Sequence, residues 1–102
     1  MTALDRVTDN DMLTRLKSVL GVSGSFHDDA LMIIINEVKA YLISAGCSDA
    51  AVDGEAAVGC VIRGVADLWN LGSGTVGLSP YFKERAAQLA LSYPRGENDV
   101  QT

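Results

Sequence analysis

Apolar residues recur at helical spacing in four stretches of the chain, and no stretch alternates in the way of a half-buried strand. In the first, DNDMLTRLKSVLG, the residues Met12, Leu13, Leu16, Val19 and Leu20 share one face at about 100° per residue. Asp9 or Asn10 can cap its start, and Gly21 stands where helices commonly end. The following VSGSFHD reads as a loop. The second stretch, from about Asp28 to Ala45, places Leu31, Ile34, Ile35, Val38, Tyr41, Leu42 and Ala45 on one broad apolar face. The opposite face carries Asn36, Glu37, Lys39 and Ser44, yet Met32, Ile33, Ala40 and Ile43 fall among these polar residues. A lone small domain has one core and needs one apolar face, so a helix apolar on both sides has something else to cover it. Either it is a central helix wrapped by the other three, or its outer side, with Met32, Ile33, Lys39 and Ile43, is a subunit interface.

GCSDAAVDG reads as a loop with two acidic residues, and the third helix runs from about Glu55 to Leu71. Its apolar face holds Val58, Val61, Ile62, Val65, Leu68 and Trp69. Beside that face, Ala57, Cys60 and Gly64 form a strip of small side chains that would let another helix approach closely and offset the helix-propensity cost of Gly64. Gly59 lies on the other side, and small residues on two sides point to two close neighbours. A glycine-rich gap follows. The fourth helix is announced by Ser79, a good cap, and Pro80, a preferred first helical residue. Phe82, Ala86, Leu89 and Tyr93 then make a stripe, and Pro94 ends it. The final RGENDVQT is polar and is expected to fray, as is the start of the chain. The pattern predicts one all-α domain spanning residues 1–102 with an ordered core over about 11–93, a small bundle of four main helices in which the second and third are central. Ile34, Val38, Leu42, Val61, Val65 and Leu68 are the expected core.

Composition narrows the functions. At 102 residues the chain has room for one modest core, and 48% apolar residues are ordinary for a folded protein. The net charge of −5 would repel a phosphate backbone, which argues against free nucleic-acid binding. No apolar run approaches the roughly 20 residues that span a bilayer, and MTALDRVTDND has neither a basic nor an apolar leader region, so no secretory signal is expected. Cys47 and Cys60 lack CxxC spacing and are expected to stay reduced, the first as a loop thiol, the second as a small buried residue.

Catalytic chemistry finds few candidates. The one histidine, His27, precedes Asp28 and Asp29; the trio could be a metal corner, but it reads better as a solvated helix start whose acids favour the helix dipole. GSGTVG looks superficially like a phosphate loop. The loop lysine of that motif is missing, no strand precedes it, and the Pro80 nitrogen has no hydrogen to offer a phosphate. No catalytic residue, cofactor or metal is expected. The segment Gly72, Ser73, Gly74, Thr75, Val76, Gly77 is instead a candidate flexible contact loop, since glycine eases rearrangement on docking.

Taken together, LKSVLGV, the acidic HDDALMIIINEVKAYLISAG, the VADLWN helix end and LSPYFKERAAQLALSY resemble the tailed-bacteriophage head–tail connector proteins, also called adaptor or head-completion proteins. The resemblance covers about Asp11 to Tyr93 and rests on helix order and spacing, not on a catalytic signature. It implies an all-helical structural subunit of the virion, made in the host bacterial cytoplasm. About a dozen copies would form a ring between the portal protein and a stopper or tail-completion protein, extending the DNA channel after packaging. Such subunits can be monomers in solution and assemble on the portal. DNA would be a partner only in non-specific passage, which an acidic lumen suits, and no membrane is implied. The alternative from the residues alone is a small helical protein-binding or regulatory module without catalysis.

Overall fold

Thr8, ahead of both expected caps, starts the first helix. Its backbone is extended and its hydroxyl oxygen accepts the Asp11 N–H at 3.1 Å. Asp9 and Asp11 then fall in the first turn, where carboxylates meet the positive end of the helix. This helix, α1, is Asp9–Leu20, closed by Gly21 at a φ of 72°. The structure, a computed structural model, describes residues 5–69 and 77–96. In it α2 is Asp28–Ser44, α3 is the single turn Asp49–Val52, α4 is Val58–Trp69 and α5 is Pro80–Ser92. Among the described residues the only extended pairing is two isolated bridges, so the chain is all-α.

Two boundaries differ from the sequence reading. The stretch after α2 is not plain loop: Ser48 caps α3 by accepting the Ala51 N–H at 3.2 Å. Glu55–Ala57 form a 3-10 turn before α4 rather than the first turn of one continuous helix. The Ser-Pro signal holds at α5, where the Ser79 hydroxyl oxygen accepts the Phe82 N–H at 3.1 Å and Pro80 opens the helix.

The most extensive contact joins α2 to α4, the expected central pair. Val38, Leu42, Val61 and Val65 are wholly buried between them, while Ile34 and Leu68 sit half-covered at the margin. Met12 and Leu16 of α1 and Phe82 and Ala86 of α5 complete the core. Val19, expected on the buried face of α1, is exposed, and so is Ala45 just past α2.

Gly64 sets the spacing of three helices. A Cβ built there would lie 2.8 Å from Val38 Cγ1 on α2 and 2.7 Å from Phe82 Cε1 on α5. Both partners are fully buried core atoms with little room to retreat. Tyr41 of α2 meets the same Phe82 ring, centroids 5.4 Å apart, so the ring is wedged where α2, α4 and α5 meet. Gly59, on the other side of α4, has nothing within 4 Å of the position its Cβ would take. A close neighbour therefore lies beside the strip with Gly64, as expected, whereas the side with Gly59 has none.

A polar tie secures the same helix pair. Asp67 is only 7% exposed, yet its Oδ2 accepts the Ser79 N–H at 3.0 Å and its Oδ1 lies 3.5 Å from Arg63 Nε. At the opposite end the segment after α2 collects both ends of the described chain. Val7 N–H donates to the Asp53 carbonyl at 2.7 Å and Glu55 N–H to the Asp5 carbonyl at 3.0 Å. Ser48 N–H donates to the Tyr93 carbonyl at 2.9 Å and Arg95 N–H to the Gly46 carbonyl at 2.8 Å. No helix among the described residues is long and apolar enough to cross a membrane.

The two glycines of α4 should respond oppositely to one methyl group. Gly64→Ala is expected to lose about 1–3 kcal/mol through overpacking, despite alanine's better helix propensity. Gly59→Ala is expected to gain up to about 1 kcal/mol. Urea unfolding midpoints at unchanged slope measure both.

Candidate interaction surface

On α2 the four residues expected at a subunit interface do not share one environment. Met32 and Ile43 are half-buried and pack against the core cluster. Lys39 folds inward: its side chain is 12% exposed and its Nζ lies 3.1 Å from Asp53 Oδ1. Ile33 alone among them stands in solvent as a large apolar side chain, at 68% exposure. The segment after α2 folds back and covers part of the outer side of the helix, which a helical wheel cannot display. Of the candidate contact loop, Gly72, Ser73, Gly74, Thr75 and Val76 lie outside the described residues. Gly77 has a φ of 97°, a left-handed conformation that suits glycine and strains other residues.

An aromatic end of the molecule was not foreseen. Where α2 begins and α4 finishes, Phe26 meets His27 edge-on at 4.9 Å, and His27 meets Trp69 edge-on at 5.3 Å. Phe26 is 91% exposed. The start of α5 lies at the same end, brought there by the Asp67–Ser79 bond. There the Arg63 guanidinium sits 5.7 Å from the centroid of the exposed Tyr81 ring. The sequence signal was present as an aromatic residue beside each of these helix ends, but single aromatics carry no period. The His27 ring is thus engaged with other rings, and its side chain makes no capping hydrogen bond to α2. Asp28 is held by Lys17, Nζ to Oδ1 2.8 Å, which ties α1 to the start of α2. Among the described residues no three His, Cys, Asp or Glu side chains stand together as a metal site.

Arg15 serves the fold. Arg15 spans Asp11 at 3.3 and 3.0 Å and Glu55 at 3.0 and 2.8 Å. The Glu55 bond above all, then the Asp11 bond, keeps the guanidinium more firmly protonated than usual. Cys47, expected as a loop thiol, is fully buried, where the bonds from Ser48 N–H to the Tyr93 carbonyl and from Arg95 N–H to the Gly46 carbonyl hold the later chain beside it. Burial raises the Cys47 thiol, and burial first, then Cys47, pushes the Cys60 thiol up to about 11. Both are free thiols.

That shift has a sign in stability. The folded state disfavours the Cys60 thiolate, so its contribution is complete below the unfolded thiol's pKa and is lost as pH rises toward about 11. The melting temperature is expected to fall between pH 8.5 and 11. Cys60→Ala should fall less over the same range, as followed by circular dichroism.

Compared with protein-family models, with curated proteins and with solved structures, the chain matches none.

Proposed function

We propose that the chain is a non-catalytic adaptor subunit of the head–tail connector kind. In this reading its helices form a small bundle, and about a dozen copies assemble as a ring between a portal protein and a stopper or tail-completion protein. DNA passes through the ring without specific contact. The reading rests on the resemblance over Asp11 to Tyr93 and on one observation above the others: Ile33, in the second turn of α2, is a β-branched apolar side chain 68% exposed. A lone exposed isoleucine is common on monomers. Here it stands on the outer side of the helix, where its neighbours Met32 and Ile43 pack against the core and Ile33 does not.

The acidic surface supports the same role, because a net charge of −5 lets DNA slide through a lumen without sticking. In the proposed assembly Ile33 packs against the neighbouring subunit, and the aromatic end with Phe26 and Trp69 is available to the next protein in the stack.

The test mixes the chain with cognate portal rings and images the complex by electron microscopy. An adaptor adds a ring of density beneath the portal at saturating concentration; bare portals would overturn the proposal. Ile33→Glu is expected to keep the monomer's stability within about 0.5 kcal/mol, as an exposed substitution should. It should abolish ring density, because an unpaired charge is costly in a desolvated interface. Normal rings from this variant would remove Ile33 from the interface.

A further inference from the structure

A cleft of about 350 Å³ lies between the start of α4 and the last turns of α5, and neither Ile33 nor the residues of the aromatic end line it. Its size is at the low end for small-molecule sites. Its apolar part is Ala56, Leu89 and the Cys60 thiol. With its pKa pushed up to about 11, that thiol is neutral at physiological pH and presents a polarisable, uncharged surface. Its polar part is Arg85, Gln88, Ser92 and Tyr93.

The polar groups are all capable donors, and among the described residues no carboxylate lines the cleft. Gln88 orients the guanidinium, its Oε1 accepting from Arg85 Nη1 at 2.8 Å, which leaves Arg85's other donors for a ligand. Among the described residues Arg85 has no ion-pair partner, and the side-chain hydroxyls of Ser92 and Tyr93 have no hydrogen-bond partner. Glu55, the acid next to Ala56 in sequence, is occupied by Arg15 on the other side. A chain of net charge −5 thus has a concave site where, among the described residues, the lining charge is positive. A guanidinium and hydroxyl donors beside apolar lining residues fit an anionic head carrying a short hydrocarbon body.

We propose that this cleft binds a small monocarboxylate with a short apolar tail. The carboxylate is held by the Arg85 guanidinium with the Ser92 and Tyr93 hydroxyls, and the tail lies on Leu89, Ala56 and Cys60. The site involves no covalent step. It stands independently of the adaptor reading, since none of its residues takes part in the proposed ring contact.

Butyrate is the probe. Titrated into ¹⁵N-labelled protein, it is expected to shift the amide resonances of Ala56, Leu89, Ser92 and Tyr93 saturably, with a Kd of about 1 mM for so small a ligand. Butyramide, the same shape without the charge, is expected to bind at least about tenfold more weakly. Inorganic phosphate should bind more weakly than butyrate, since it has no tail. Arg85→Gln, at an exposed position, should keep the native spectrum and lose butyrate binding by about tenfold or more. Non-saturable shifts with butyrate would overturn the proposal, and so would equal binding of butyramide. Phosphate binding as tight as butyrate would overturn the apolar half of the site. The comparison of ligands on the unmodified protein decides the matter even if the variant unfolds.

Discussion

The absent side chain at Gly64 is the condition on which the rest of the packing depends. Without a Cβ there, α4 approaches α2 at Val38 and leaves a recess that the Phe82 ring of α5 fills. Glycine inside a helix carries an entropic cost of roughly 0.5–1 kcal/mol relative to alanine, and burial of Phe82 and Val38 offsets it. Asp67, three residues on, faces the same neighbour and takes the Ser79 N–H, so one face of α4 supplies both the recess and the polar tie. An unpaired buried carboxylate would be costly. Its pairing with the α5 cap fixes where α5 starts, and with that the depth at which Phe82 inserts.

The other end of the molecule is organised by the segment between α2 and α4. It receives backbone hydrogen bonds from both ends of the described chain, and its acids take one cation from α1 and one from α2. Partly exposed ion pairs add little stability. The bidentate fork of Arg15 on Glu55 adds orientation more than energy, holding the 3-10 turn against α1. The same arrangement shapes the two surfaces of functional interest. It draws Lys39 inward and leaves Ile33 bare, and it places Ala56 opposite Tyr93 at the rim of the Arg85 cleft.

Much of this was legible in the sequence wherever a local rule had one solution. Ser79-Pro80 permits one helix start, the stripe from Phe82 to Ala86 permits one buried face, and small residues at Ala57, Cys60 and Gly64 imply a close helix. Where local rules tie, the sequence could not choose. Thr8, Asp9 and Asn10 are all good caps, and only the backbone says that Thr8 is used. A one-turn helix such as Asp49–Val52 is too short to show a period. Cys47 is buried by a segment some 45 residues further along, and nothing beside it announces that. On α2 the wheel showed correctly that apolar residues lie on two sides. It could not show that the chain folds back to bring Asp53 onto Lys39, because that partner comes from outside the helix.

If the Gly64 crossing is right, the positions of Ile33, of the aromatic end and of the cleft between α4 and α5 all follow from it, since each is defined by how α2 and α5 sit on α4. Short-range proton contacts in solution test it most directly. In a nuclear Overhauser spectrum of the protein, the Gly64 α-protons should show strong cross-peaks both to the Val38 methyls and to the Phe82 ring, which the atoms around Gly64 place in van der Waals contact. Cross-peaks to neither, or to only one of the two helices, would contradict the account.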